Sequence, residues 1–405
     1  MSGRRVIPLA VAPAAAPTGP ASPQLAAPPP LALYVHFPWC VRKCPYCDFN
    51  SHALRESDDA IPEAAYLDAL MADLEGALPQ VWGRRVHTVF IGGGTPSLLS
   101  AGGLDRLLTG IRTLLPLDPL AEITLEANPG TVEAGRFRDY RAAGVNRLSL
   151  GIQSFDDAQL ARLGRVHDAA QARAAIEIAL AHFERVNLDL MYALPQQTVE
   201  AALADVEIAL AFGVSHLSCY HLTLEPNTPF HHRPPPLPDA DAAADMQDAI
   251  EARLAAAGFV HYETSAFARS GEQCRHNLNY WRFGDYLGIG AGAHGKLSSH
   301  EAIVREMRHK SPARYLAAAA TRDFVHERRI VTARELPFEF MMNALRLTGG
   351  FPRALFAAHT GLALAAIEPQ LTEARRRGLI EITAEDIRPT ERGRHFLNDL
   401  LELFL

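Results

Sequence analysis

The 405-residue chain has no basic excess, no long apolar run and only five cysteines. Its net charge of −7 argues against nucleic-acid binding, which needs a strongly basic surface. No segment approaches a continuous apolar stretch of membrane-spanning length, so no spanning helix is expected. Arg4 and Arg5 precede an apolar Val-Ile-Pro-Leu-Ala, yet repeated prolines spoil a secretory reading. Export would also carry free thiols into an oxidising compartment, so a cytoplasmic location is expected. Residues 8–30 are nearly all Ala and Pro and cannot build a core. Residues 1–30 are therefore expected to form a disordered Pro/Ala-rich tail.

Three of the five cysteines, Cys40, Cys44 and Cys47, fall within eight positions, in Tyr-Val-His-Phe-Pro-Trp-Cys-Val-Arg-Lys-Cys-Pro-Tyr-Cys. Three thiolates on one short loop can converge on a soft metal centre. A structural zinc ion wants a fourth ligand at its own short spacing, and none lies nearby in sequence. An iron–sulfur cube held by three thiolates leaves one iron open for an exogenous ligand. The alternative is three buried or zinc-linked cysteines.

From residue 31 to about 222, β-rich apolar runs alternate with helical patterns. The strands are expected at Leu33–Phe37, His87–Ile91, Glu122–Ala127, Arg147–Ile152, Asn187–Tyr192 and His216–Leu222. The helices are expected at Ala64–Leu78, Leu104–Leu114, Val132–Ala143, Ala169–Phe183 and Glu200–Phe212, with Asp156 and Thr198 as N-caps. Six such units imply an α/β fold with a parallel sheet, either a partial barrel or an open doubly wound sheet. In a barrel, polar residues at the carboxyl ends of strands build the site. Those ends carry Gly92-Gly93-Gly94-Thr95, Glu126-Ala-Asn128, Gly151-Ile-Gln153, Asp189 and Tyr220-His221. Taken singly, the glycines could be only a tight turn and Gln153 a loop solvator. Their equivalent placement on successive strands favours function.

Residues 226–238 form a proline-rich loop, followed by a helix expected at Asp241–Ala257. Nine of the 17 histidines lie between 216 and 309. The segment Cys274-Arg-His276-Asn277-Leu-Asn-Tyr280-Trp281 combines aromatics with two candidate axial haem ligands, His276 and Cys274. Alternatively, His276 is a satisfied histidine in an aromatic corner. From 335 on, helices are expected at Pro337–Leu347, Gly361–Arg377 and His395–Phe404, around a small hairpin. This winged-helix-like unit has eight Arg, no Lys and ten Asp plus Glu, which disfavours DNA binding. It is expected to cap the barrel mouth or offer a partner surface.

The C-x3-C-x2-C spacing, with Tyr46 before the last Cys, resembles the cluster loop of radical S-adenosylmethionine (SAM) proteins. There the open iron chelates the amino and carboxylate groups of SAM. Tyr-Val-His-Phe-Pro-Trp-Cys, Gly-Gly-Gly-Thr-Pro-Ser, Leu-Glu-Ala-Asn-Pro, Gly-Ile-Gln-Ser-Phe, Asn-Leu-Asp-Leu-Met-Tyr and Leu-Gly-Ile-Gly-Ala-Gly-Ala-His together resemble the oxygen-independent coproporphyrinogen oxidase family and its relatives. The resemblance implies a partial (β/α)6 radical SAM barrel over 31–240. A barrel-completing segment with a haem-binding motif would follow over 241–334, then a small C-terminal winged-helix-like cap over 335–405. Cys40, Cys44 and Cys47 would hold a [4Fe–4S] cluster. Tyr34, Tyr46, Gly93, Gly94, Thr95, Glu126, Gln153, Arg165 and Asp189 would serve SAM. His-Asn-x-x-Tyr-Trp resembles the haem-binding branch, haem chaperones called HemW, and makes His276, Asn277, Tyr280 and Trp281 the expected haem set, at a separate site.

The oxidase branch carries one more Cys two positions after the third cluster Cys, where this chain has Phe49, and the Arg/Tyr-bearing N-terminal segment expected of an oxidase is missing. The implied function is a haem chaperone that passes haem to an acceptor haemoprotein, respiratory and membrane-associated. The alternative is radical oxidative decarboxylation of coproporphyrinogen III. A homodimer stays open.

Overall fold

A computed structural model describes residues 24–54, 61–129 and 134–405. Six strands, β1 (Leu31–Phe37), β2 (Val86–Gly93), β3 (Leu117–Ala127), β4 (Arg147–Gln153), β5 (Arg185–Tyr192) and β6 (His216–His221), lie side by side in that order, all parallel. They match the six expected strands. Only β3 starts well before its expected residue, because Leu117–Leu120 are exposed or half-buried and show no apolar period.

The main helices between these strands are α1 (Glu63–Val81), α2 (Ala101–Leu114), α3 (Ala134–Ala143), α4 (Ala169–His182) and α5 (Val199–Ala211). Val132, the expected start of α3, lies outside the described residues. Local chemistry fixes the helix starts: Asp168 makes a full capping box with Gln171, and the Thr198 hydroxyl accepts the Ala201 N–H. Asp156 caps the short helix Asp157–Arg162 in the same way. The inward stripe of α1 (Tyr66, Leu67, Leu70, Leu74) and that of α2 (Leu104, Leu107, Leu108, Ile111) bury against the sheet. The strands β4, β5 and β6 alternate: apolar residues such as Leu148, Leu150, Val186 and Leu188 turn toward the helices, and polar residues turn the other way.

The chain then crosses α6 (Ala240–Ala256) to β7 (Val260–Glu263) and β8 (Ala266–Ala268), which add antiparallel beyond β6. After α7 (Arg275–Trp281), it returns to the other side of β1 as β9 (Asp285–Ile289), a seventh parallel strand. β10 (His294–Ser298), β11 (Ile303–Arg308) and β12 (Val325–Val331) continue antiparallel. The order is β12-β11-β10-β9-β1-β2-β3-β4-β5-β6-β8-β7. Residues 241–334 thus extend both edges of the sheet, with no strand pairing between its two ends among the described residues. α7 packs beneath β1, β2 and β9.

The C-terminal unit has its own core of Phe340, Phe351, Phe356, Ile367, Leu371 and Ile387. It comprises α8 (Leu336–Ala344), α9 (Arg353–Thr360), α10 (Glu368–Arg376), a three-stranded sheet and two short final helices. The helix expected from Gly361 begins later. Gly361 is the left-handed cap (φ 70°) that ends α9, and a proline at its start sets α10. The last helix, expected from His395 to Phe404, is Leu397–Glu402, and a separate short helix, Glu391–His395, precedes it. Residues 24–30, expected within the disordered tail, pack instead. Leu25 is buried in the C-terminal core, its N–H donates to the His300 carbonyl, and Arg84 donates to the Pro29 carbonyl. Residues 1–23 of that tail lie outside the described residues.

Candidate cofactor site

The parallel strands enclose a cavity of about 730 Å³. Side chains alternate along a strand, so residues two apart share a face. Arg147, Ser149, Gly151 and Gln153 of β4 therefore all line the cavity, as do Asn187 and Asp189 of β5. So do all the residues expected to serve the cluster, SAM and haem: Cys40, Cys44 and Cys47; Tyr34, Tyr46, Gly93, Gly94, Thr95, Glu126, Gln153, Arg165 and Asp189; His276, Asn277, Tyr280 and Trp281.

The cysteine loop is pinned from several sides. Lys43 Nζ donates to the carbonyls of Phe49 (2.9 Å) and Ser51 (3.2 Å), and Asn50 donates to those of Ala291 and Lys310 (2.9 Å each). The glycine run of β2 closes against it: the Gly94 N–H donates to the Phe37 carbonyl and the Thr95 N–H to that of Trp39. A Cβ on Gly94 would sit 2.5 Å from the Trp39 carbonyl oxygen, and one on Gly93 (φ 114°) 2.5 Å from the His36 ring. Only glycine permits that approach. Burial raises the Cys40 and Cys47 thiols, with the Thr95 hydroxyl offsetting part of the effect at Cys40 and the Ser51 hydroxyl at Cys47.

Among the described residues no group of three or more His, Cys, Asp or Glu is gathered tightly enough for a single metal ion. A [4Fe–4S] cube makes no such demand, because it takes each thiolate on a different iron. Three free thiols facing one cavity, with no fourth, fit a cube with an open iron better than a zinc ion.

Arg165 links this loop to β3 and β4. Its guanidinium donates to the Asn128 carboxamide oxygen, the Gly151 carbonyl (2.7 Å) and the Cys44 sulfur (3.6 Å), and Asn128 in turn donates to the Thr95 hydroxyl (2.9 Å). The Arg165 Nε, buried beside the cavity, has no partner among the described residues. Glu126 accepts the Gly93 N–H (3.0 Å), while burial and the neighbouring Asp189 push its carboxyl to about 8. Burial also raises Asp189, which is held by Asn187 (2.8 Å) and Ser149 (3.3 Å). Gln153 stands at φ 69°, a left-handed conformation that turns the chain at the end of β4. Tyr34 pairs with the His36 ring (2.9 Å) and stacks on Phe90, and Tyr46 packs on Phe230.

The expected haem set does not form a separate site. α7 brings it to the floor of the same cavity, near the amino ends of the strands. His276 is 1% exposed and stacks on Phe90 at 5.0 Å. Its ring nitrogens are held by the Thr88 hydroxyl (2.8 Å) and the Tyr280 hydroxyl (3.2 Å). Burial, aided by Arg147, lowers it to about 3, so the ring is neutral, the form that binds a metal. Trp281 lies under the Arg346 guanidinium (4.3 Å), and its Nε1 has no partner among the described residues. Cys274, the second candidate axial ligand, is removed from contention. It is fully buried, does not line the cavity, and burial lifts its thiol to about 12 beside Glu122.

Residues 335–405 supply none of the cavity lining, so this unit does not cap the mouth. It clasps the floor helix instead, through Arg346 on Trp281 and His359 on the Arg282 carbonyl, while Arg346 also pairs with Glu263 of β7. Asn128, expected at the end of β3, lines the cavity; Arg147, Ser149, Asn187 and Ser218 were not among the expected site residues, although strand parity with Gln153 and Asp189 marks the first three as inward-facing. Phe49, at the position of the oxidase branch's extra Cys, is 59% exposed at the cavity rim.

A family model of the radical SAM superfamily matches residues 34–208, and one described as the HemN C-terminal domain matches 331–396. Among solved structures, coproporphyrinogen III oxidase (HemN) of Escherichia coli superposes with a TM-score of 0.78 over 93% of this chain and 90% of that one. At 23% identity it shows the fold alone. A relative in Escherichia coli K12 named heme chaperone HemW is 50% identical over 93% of this chain and 98% of its own length. The protein of the same name in Bacillus subtilis is 34% identical over 92% and 99%, and that in Mycobacterium tuberculosis H37Rv 38% over 90% and 92%. A radical SAM barrel whose cavity joins a three-cysteine loop to a His-Asn-x-x-Tyr-Trp floor helix, with this likeness over nearly its whole length, belongs to the HemW haem-chaperone family.

Proposed function

We propose that the chain binds a [4Fe–4S] cluster, SAM and haem, and passes the haem to an acceptor haemoprotein of the respiratory membrane. The observation that carries this reading is the meeting of two residue sets on one cavity, in a chain half identical to a haem chaperone. Cys40, Cys44 and Cys47 hold the cluster, with the Arg165 guanidinium against the Cys44 sulfur. Bound to the open iron, SAM would supply a reducible sulfonium. Gly93 and Gly94 admit its close approach, and Glu126 and Asp189 face its polar groups. The aromatic faces of Tyr280 and Trp281 and the neutral imidazole of His276 receive the flat, apolar haem.

Because His276 is already paired at both nitrogens, iron ligation there would displace the Tyr280 or Thr88 hydroxyl. Among the described residues no helix is long and apolar enough to cross a membrane. Delivery to a membrane acceptor would occur by docking, from a cytoplasmic location.

One anaerobically reconstituted sample tests the proposal. It should bind haem with a defined stoichiometry and produce no protoporphyrinogen from coproporphyrinogen III with dithionite and SAM. Decarboxylation at enzymatic rates without haem binding would replace the chaperone reading with the oxidase one.

A further inference from the structure

The cavity floor holds a cation that neither the cluster nor the SAM face uses. Arg147, the first residue of β4, is 3% exposed and lines the cavity, yet its guanidinium makes no hydrogen bond or ion pair with any described residue. Its acidic neighbours are engaged elsewhere. Glu122 takes Arg185 (2.8 Å), the His276 N–H (3.1 Å) and the Cys274 thiol (3.6 Å). Asp189 is held by Asn187 and Ser149, and Glu126 by the Gly93 N–H. Glu122 and Asp189 support the charge of the buried guanidinium from a distance without bonding it, so its N–H donors stay free for a ligand anion.

The surroundings define the anion. Arg147 is the one cation on the cavity floor among the described residues, which matches a single negative charge. Its planar fork suits a carboxylate, bound bidentate. The floor beside it is aromatic, with Phe90, His276 and Tyr280, so the carboxylate belongs on a flat, apolar body. The aminoacyl carboxylate of SAM is in the wrong place. Bound at the cluster it would sit at the carboxyl ends of the strands, whereas Arg147 opens β4 six residues before Gln153, about 20 Å away along an extended strand.

Building on the haem reading, we propose that Arg147 receives a propionate carboxylate of the bound porphyrin and so sets its orientation on the floor. The cargo site would then recognise a porphyrin by its acid arm as well as by its face.

The test compares haem with haem dimethyl ester, which lacks the free acids, by absorbance titration of the reconstituted full chain. The wild-type chain should bind haem roughly tenfold more tightly than the ester, the factor expected for one charged hydrogen-bonded contact. Arg147→Gln should bind both alike, near the wild-type affinity for the ester, and Arg147→Lys should recover part of the preference. SAM affinity, from equilibrium dialysis, should stay within about twofold in both variants. Equal wild-type affinities for haem and ester would overturn the assignment while leaving haem binding intact, and this comparison needs no variant to fold. Loss of SAM binding in Arg147→Gln with the haem preference retained would also overturn it, by giving the carboxylate to SAM. If the wild-type chain binds neither porphyrin, the haem reading itself falls.

Discussion

Glu126→Gln should change how the stability of the apo-protein responds to pH. The Glu126 carboxyl rises from its ordinary 4.5 to about 8, because it is desolvated on the cavity wall and faces Asp189. Between those pH values the folded chain keeps a proton that the unfolded chain releases. The Glu126 contribution to stability is therefore greatest near or below pH 4.5 and falls as pH climbs to about 8, above which Glu126 is charged in both states. The full linkage is about 5 kcal/mol. Glu126 is only half-buried, however, and solvent in the cavity screens part of the penalty. About 2–3 kcal/mol is the expected loss between about pH 5 and pH 9. The glutamine side chain would preserve the acceptor for the Gly93 N–H without titrating. Urea unfolding of both proteins at about pH 5, 7 and 9, with thiols kept reduced, should show the variant gaining on wild type by that amount as pH rises. Parallel pH profiles would refute the assignment of a neutral Glu126.

Three further outcomes follow from the same geometry. Cys44→Ala should remove the broad absorbance near ~400 nm that an iron–sulfur cube gives on reconstitution; iron retained at wild-type stoichiometry would count against the ligand set. Gly94→Ala drives a methyl to 2.5 Å from the Trp39 carbonyl, so it should shift the cysteine loop and reduce cluster incorporation, read as iron per chain, while the far-UV circular dichroism stays unchanged. Lys296→Met breaks a buried pair, since Lys296 Nζ lies 2.9 Å from Asp285 Oδ1 with both side chains sealed from solvent. Arg84, at 2.8 Å from the same carboxylate, compensates in part, so a loss of about 3 kcal/mol in denaturant unfolding is expected.

The cluster loop was legible because three cysteines at short spacing need no tertiary information to be recognised as a ligand set. The six strands were legible because they are β-rich segments, several alternating between an apolar face against the helices and a polar one, bounded by turn residues and helix caps. β9 was harder to read. Asp285–Ile289 is short, and its pairing partners are β1 and β10, of which β1 lies far away in sequence. The helix α9 was not expected, and the one expected from Gly361 starts late, because the left-handed Gly361, the extended Ala363 and a short 3-10 turn at Leu364–Ile367 separate α9 from α10, which helical spacing alone does not encode.

The sequence by itself determined which residues could carry chemistry here: thiols on a loop, glycines and carboxylates at strand ends, and an aromatic His-Asn-x-x-Tyr-Trp segment. It could not determine that the last of these faces the first two. That follows from α7 crossing beneath β1 and β2, which seats His276 on Phe90 and merges two expected sites into one cavity. Nor could it show which charges are satisfied. Glu122 and Arg185 pair outside the cavity lining and leave the Arg147 guanidinium without a direct hydrogen-bond partner among the described residues, an outcome of three-dimensional packing among residues on different strands. Local spacing encodes ligand types and periodicity encodes the faces of elements, but the pairing of buried charges depends on distances that exist only after the sheet has closed around them.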